Sequence, residues 1–285
     1  MALRKIEGVK GLKVMANTIR VDIVKMLTEA GSGHPAGSLD LADIFTALFF
    51  SVMNHDPENP QWEGRDRFIL SNGHVCPVLY ASLANSGYFP KEELSTLRAL
   101  GSRLQGHPHR GSLPGIENSS GPLGQGFPIA VGMALVGKRE EKDWRVYCVV
   151  SDGEQQEGQV WEAAMLAAKF KLGNLTAIMD RNYIQIDGTT EEVNPLDPLA
   201  DKYRAFNWNV IEVDGHDIEA IIDAYAKAKE VTDKPTMIIA KTIPCKGIPF
   251  MEGLVEWHGK TPKEEEAKKA YEALLNECRL IKEGK

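Results

Sequence analysis

The sequence predicts a three-layer α/β fold, a mostly parallel sheet with helices on both faces, and three observations carry that reading. Short, near-continuous apolar runs recur at Arg67–Leu70, Arg145–Val150, Thr176–Asp180, Asn209–Val213 and Thr236–Ala240. Such runs mark strands buried on both sides. Helical stretches lie between them, and strand–helix alternation is the pattern of a parallel sheet. Finally, 285 residues at 43% hydrophobic and 26% charged are enough for one α/β domain with a sizeable core.

Taken in order, the first element is a long amphipathic helix from Ile6 to Ala30. Val14, Met15, Ile19, Ile23, Val24 and Leu27 recur at helical spacing, and the pattern stops at Gly31 and Gly33, as a helix terminus should. A second helix is expected after Ser38, at Leu39–Phe50, and a third at Val75–Ser86. Residues 101 to 126 are rich in Gly, Pro, Ser and His and lose all periodicity. This predicts an irregular loop of a length that is usually functional. A helix follows at Leu123–Arg139, where Ala130, Gly132, Ala134 and Gly137 offer a close-packing face for either the sheet or another subunit. Further helices are expected at Val160–Phe170, Asp217–Glu230 and Pro262–Leu280. No repeat, low-complexity tract or linker interrupts the chain, so a single domain over residues 1–285 is expected, ending in a polar helical tail.

Composition narrows the function. A net charge of −7 without a long basic tract argues against nucleic acid as a partner. No run approaches the roughly 18 to 20 uninterrupted apolar residues of a bilayer span, so no membrane association is expected. Cys76, Cys148, Cys245 and Cys278 are too far apart for a C-x-x-C redox or zinc motif, which fits a reducing compartment. The opening MALRKIEGVKGLKV lacks the apolar core and cleavage site of a signal peptide. A cytoplasmic location is expected.

The most informative stretch begins where the strand RVYCVV meets SDGEQQEGQVWEAAM. Ligands of open parallel sheets bind beyond the carboxyl ends of strands, and Asp152 and Gly153 stand at such an end. Gly153 permits a tight turn, and Gly158 is expected to let a phosphate approach the backbone before the next helix. Downstream, the strand TAIMD is followed by Asn182, one strand–helix–strand unit beyond Asp152. Two adjacent strand ends then offer a carboxylate and an amide oxygen to one point. With a main-chain carbonyl and phosphate oxygens, these hard donors suit Mg²⁺ or Ca²⁺ holding a diphosphate.

With these residues in view, SDG-x₃-EG-x₂₃-N resembles the thiamine diphosphate signature, and its surroundings resemble the N-terminal part of a transketolase. GSGHPAGSLD is similar to that family's first histidine loop, SNGHVCPVLYA to its second and Gly106–Pro108 to its third. GPLGQGFPIAVGMA is similar to its glycine-rich turn and helix. The likeness runs from about Thr18 to His258. It implies the diphosphate-binding domain of the thiamine diphosphate fold, with Asp152, Asn182 and the Ile184 carbonyl as metal ligands. It further implies Gly153 and His74 as diphosphate contacts, and Gly121 and Leu123, in the glycine-rich run, beside the cofactor. Glu157 matches an interface carboxylate that pairs with the cofactor-activating glutamate of a facing domain. His34, His107 and His258 match histidines around the reacting carbons, a role suited to imidazole because hydroxyl protons must move near neutral pH.

Departures from the family pattern are small in the motifs and large in length. Ser151 and Ala36 stand where glycines are common, and Cys76-Pro77 follows His74. A complete transketolase also carries a pyrimidine-binding domain and a C-terminal domain, whereas this chain ends at Lys285. The resemblance therefore implies one subunit of a split enzyme, active with a C-terminal partner subunit in a two-plus-two heterotetramer and using sugar phosphates. A specialised transketolase for an unusual sugar, a 2-oxo acid dehydrogenase subunit and a non-catalytic binding module are the competing expectations.

Overall fold

The computed structural model describes residues 5–284. Among them the strands are, in chain order, β1 (Arg67–Leu70), β2 (Val146–Ser151), β3 (Leu175–Arg181), the short pair β4 (Ile184–Gln185) and β5 (Gly188–Thr189), β6 (Asn209–Asp214) and β7 (Thr236–Lys241). Five of them form one all-parallel sheet in the order β1-β2-β3-β7-β6, and β4 and β5 make a separate antiparallel hairpin. β2, β3 and most of β7 are buried along their length, as their unbroken apolar runs required.

The helices are α1 (Val9–Ala30), α2 (Pro35–Asp40), α3 (Ala42–Ala47), α4 (Cys76–Ser86), α5 (Gly126–Arg139), α6 (Gly158–Lys169), the single turn α7 (Thr190–Val193), α8 (Leu199–Ala205), α9 (Ile218–Glu230) and α10 (Glu264–Glu283). Alternate strand residues face two separate cores. Phe68, Leu70, Tyr147, Val149, Ile178 and Ile238 pack with α1, α3, α4 and α9. Ile69, Cys148, Val150, Ala177, Met179 and Ile239 pack with α5, α6 and α8 on the opposite face. The predicted three-layer architecture is the one observed.

Several boundaries differ from the sequence expectation, for local reasons. The second helix starts at Pro35, not Leu39, because proline is suited to the first helical turn. It breaks at Leu41 and finishes in a π-helical turn at Leu48–Val52. The segment Pro35–Val52 is apolar and long enough for a membrane span, but 94% of it is buried inside this fold. The helix expected from Leu123 starts at Gly126, since Gly124 at φ 77 holds the preceding turn in the left-handed region. In α5, Ala130, Ala134 and Gly137 are buried and serve packing within the chain, while Gly132 faces open space.

Candidate active site

The floor of the site is made by the turns that follow β2 and β3. Ser151 pairs with Asp180 across the two strands, so Asp152 and Asn182 leave neighbouring strand ends. Asp152 is fully buried. Its Oδ1 accepts the Gly153 N–H at 2.7 Å, and its Oδ2 accepts the Tyr183 N–H at 2.7 Å and Nη1 of Arg181 at 3.2 Å. Burial pushes the Asp152 carboxyl up to about 6, against the opposing pull of Arg181. Arg181 also donates to Thr190 and Glu191 and lies 4.0 Å over the Tyr183 ring. Tyr183 takes φ 65, a conformation uncommon for a bulky residue, and this turns the chain into the β4–β5 hairpin.

The side chain of Asn182 is held on both its polar atoms. Nδ2 donates to Asp40 at 2.9 Å and to Asp180 at 3.1 Å, while Oδ1 accepts the Ile184 N–H at 3.1 Å. Asp40 and Asp180 are both buried, and burial raises both carboxyls above their ordinary range. A second buried carboxyl, Glu154, organises the glycine-rich turn. It accepts the Ser71 hydroxyl and the Gly124 N–H, each at 2.6 Å, and Ser71 in turn accepts the Phe127 N–H at 2.9 Å. Burial raises Glu154 to about 7.

The rim is made by histidines. The rings of His34 and His74 are 5.1 Å apart, His34 and His258 5.7 Å, and His74 and His258 5.8 Å. His107 reaches the same cavity from the long loop, packing beside Gly121. Burial, then the neighbouring His258, lowers His34 to about 4; burial, then His34, lowers His74 to about 3. Burial lowers His107 and His258 as well. Neutral imidazoles near pH 7 are ready to exchange protons with hydroxyl groups.

Floor and rim enclose a cavity of about 570 Å³ lined by His34, His74, His107, Gly121, Leu123, Gly153, Glu157, Asn182, Ile184 and His258. Of the residues singled out from sequence, Asp152 and Gly158 do not line it: Asp152 sits behind the wall, with Ser151 and Gly153 at the surface. Glu157 is exposed at the edge, as an interface carboxylate would be. Gly158 does not line the cavity, and a Cβ there would meet nothing within 4 Å. Gly153, by contrast, does line the cavity. Ser151 lies within β2 in ordinary strand geometry, so its β-carbon is accommodated. Cys76 is buried, donates to the Gly106 carbonyl at 3.2 Å, and burial pushes its thiol up to about 12, which removes it as a nucleophile.

Four further residues shape the site without standing out in the sequence: Asp40, Glu154, Asp180 and Arg181. Glu154 lies inside the diphosphate signature, and Asp180 ends a predicted strand, so both carry a signal. Asp40 closes the first histidine-loop motif without standing out in it, and Arg181 carries no signal.

The cavity has hydrogen-bonding capacity that the chain itself leaves unmet. Buried polar atoms at the site lack hydrogen-bond partners, including Nδ1 of His34, Nδ1 of His258 and Oγ of Ser120 beside Gly121, and such atoms in native proteins call for a ligand or water. Among the described residues no three His, Cys, Asp or Glu side chains converge to hold a metal by themselves. A cation here therefore depends on oxygen donors of the kind that Asp152, Asn182 and the Ile184 carbonyl supply, completed by the ligand's own oxygens.

Comparison with known proteins agrees with this geometry. Residues 12–278 match the family model for the thiamine diphosphate-binding domain of transketolase. The chain belongs to the transketolase family, in its thiamine diphosphate-binding part. It is 45% identical over 266 residues to the 6-deoxy-6-sulfo-D-fructose transketolase subunit SqwG of Clostridium sp. (strain MSTE9), covering 93% of this chain and 97% of that protein. It is 39% identical over 262 residues to an apulose-4-phosphate transketolase subunit of Phocaeicola vulgatus, covering 92% of this chain and 93% of that protein. The crystal structure of transketolase from Campylobacter jejuni superposes with a TM-score of 0.88 at 39% identity, over 92% of this chain but only 42% of that one.

Proposed function

We propose that this chain is the diphosphate-binding subunit of a two-chain transketolase. It moves a two-carbon ketol unit from a ketose to an aldose when paired with a subunit that carries the pyrimidine-binding domain. The observation that supports this most directly is the pairing of an oxygen-donor floor with a histidine rim in one cavity. Relatives that are themselves subunits are covered over almost their whole length.

In this reading Asp152, Asn182 and the Ile184 carbonyl hold Mg²⁺ or Ca²⁺, and Gly153 and His74 contact the diphosphate. Leu123 and Gly121 border the ring system. Thiamine diphosphate supplies a nucleophilic carbon that stabilises the transferred unit. The chain's own residues do the rest: His34, His107 and His258 orient substrate hydroxyls and exchange their protons, and the buried walls exclude water. Glu157, at the exposed edge, faces the partner.

The second subunit has a surface to meet. Ile129 and Val136 of α5, Met165 and Leu166 of α6 and Phe170 just beyond it are exposed large apolar residues, and the two helices pack side by side. Exposed apolar residues gathered on two packed helices are a feature of interaction surfaces. They support assembly with the partner subunit or a second copy of this chain, in a two-plus-two arrangement.

The substrate is a sugar carrying an anionic end. A specialised substrate is the second reading, favoured by the names of the two relatives, which act on a sulfosugar and on apulose 4-phosphate. Assaying the co-purified subunits with xylulose 5-phosphate and ribose 5-phosphate tests the general reading, and 6-deoxy-6-sulfofructose with an aldose phosphate tests the specialised one. Turnover that requires both chains and added thiamine diphosphate is the expected result. Full turnover by this chain alone would overturn the two-chain proposal.

A further inference from the structure

We infer that Asp40 is a positioning residue for the cation site: together with Asp180 it clamps the Asn182 amide so that the amide oxygen alone is left to face the ion. The inference rests on the proposed role of Asn182 as a ligand.

A side-chain amide has two ends that packing cannot tell apart, because its nitrogen and oxygen are nearly the same size. Hydrogen bonding must choose between them. Here the two protons on Nδ2 are both consumed, one by Asp40 at 2.9 Å and one by Asp180 at 3.1 Å, and Oδ1 accepts the Ile184 N–H at 3.1 Å. Turning the amide over would set its NH₂ against the Ile184 N–H and leave neither amide proton facing Asp40 or Asp180. The oxygen retains a second lone pair, available to a cation.

The two carboxylates differ in origin. Asp180 stands two residues before Asn182 on the same strand end. Asp40 is the last residue of α2, 142 residues away in sequence, and is wholly buried. Its second oxygen accepts the Cys245 N–H at 2.7 Å, and the second oxygen of Asp180 accepts the Thr242 hydroxyl. The clamp is thereby fastened to the segment that leaves β7 and runs on to His258. Partners one shell out from a metal commonly set ligand orientation, and their loss costs about 10- to 100-fold in metal affinity.

The test uses the chain co-purified with its partner subunit, titrated with Mg²⁺ at fixed thiamine diphosphate, without substrate, and followed by calorimetry. Asp40→Asn replaces one acceptor oxygen with a donor at nearly constant volume. It should raise the half-saturating Mg²⁺ concentration about tenfold or more, while saturating Mg²⁺ restores cofactor affinity. A general packing defect would not be rescued by the ion. In the ¹⁵N-labelled chain the Asn182 side-chain amide signals should shift and exchange faster with solvent. Thr242→Val, which removes the hydroxyl that steadies Asp180, should move the Mg²⁺ midpoint the same way by less, and it carries the test if Asp40→Asn does not fold. A wild-type midpoint in both variants, or a loss that saturating Mg²⁺ does not repair, overturns the clamp. Asn182→Ala separates the two levels. If it leaves the midpoint unchanged, the ligand assignment itself fails; if it shifts the midpoint and the clamp variants do not, only the clamp fails.

Discussion

The floor and the rim of the cavity are built on opposite principles. On the floor, the side-chain oxygens of Asp152, Asp180, Asn182 and Glu154 are engaged by fixed donors from the chain itself. On the rim, His34 and His258 each keep a buried ring nitrogen with no partner. A fully satisfied network is rigid and specifies one geometry, which suits a group that stays bound. An unsatisfied set of neutral imidazoles suits molecules that arrive and leave. The anchorage is thus held in shape by the chain itself before any ligand binds, whereas the reacting end is left incomplete.

That contrast can be broken by substitution, because floor changes should cost stability and rim changes should not. The largest effect is expected for Asp152→Ala, which takes the acceptor from the Gly153 and Tyr183 N–H groups and leaves Arg181 only its more exposed partners Glu191 and Asp197. A buried donor left without its acceptor costs about 1–3 kcal/mol, so the melting temperature should drop sharply and cation-dependent cofactor binding should vanish. An unchanged melting curve would mean that the floor is not pre-organised.

The next test compares the pH response of the two regions in the ligand-free chain. His74 is held at about 3, below its ordinary 6.5. The unfolded chain therefore takes up a proton near 6.5 that the folded chain refuses, and this stability is complete above 6.5 and lost as pH falls. Between pH 7 and pH 5 the native protein should lose about 2 kcal/mol relative to His74→Asn. Glu154, raised to about 7 from an ordinary 4.5, has the opposite sign: the folded form holds a proton that the unfolded form releases. Over the same interval the native protein should gain on Glu154→Gln. Parallel pH curves for all three proteins would erase the distinction. At pH 7, Glu154→Gln itself should cost about 1–2 kcal/mol through the hydrogen bonds to Ser71 and Gly124, read from denaturant unfolding.

The smallest stability effects belong to exposed positions. His107→Ala should change stability by less than about 0.5 kcal/mol and leave cofactor affinity intact, yet lower kcat by about 100-fold or more in the two-chain enzyme. Weakened cofactor binding with normal turnover would move His107 from the rim to the floor. On the α5–α6 face, Val136→Asp should likewise leave the isolated chain as stable as before, while sedimentation of the mixed subunits shows the assembly weakened.

The same contrast explains what can be read from residues alone. The parallel strands are legible because burial on both faces demands uninterrupted apolar runs, and Asp152 and Asn182 are legible because they follow two such runs. The histidines stand out through their glycine-flanked loops. The β4–β5 hairpin has no such signature, since two residues per strand cannot establish a period, nor has α8, which is only seven residues long. Asp40 is hidden for a different reason. A lone acidic residue in an apolar helix reads as its solvent side, and only the tertiary fold brings it within hydrogen-bonding distance of an amide 142 positions later. Asp43 and Arg20 hide in the same way, as a buried pair extended by His216. The start of the second helix is obscured because PAGS offers no apolar rhythm, although Pro35 marks it.

The four histidines enter the cavity from four unrelated points of the chain: before α2, before α4, within the long loop and ahead of α10. None of them shares a segment with the strand ends that bear Asp152 and Asn182. Sugar preference can thus be re-cut at the rim, and a library confined to residues 102–119, short of Gly121 and Leu123, would explore new acceptors while leaving coenzyme retention untouched.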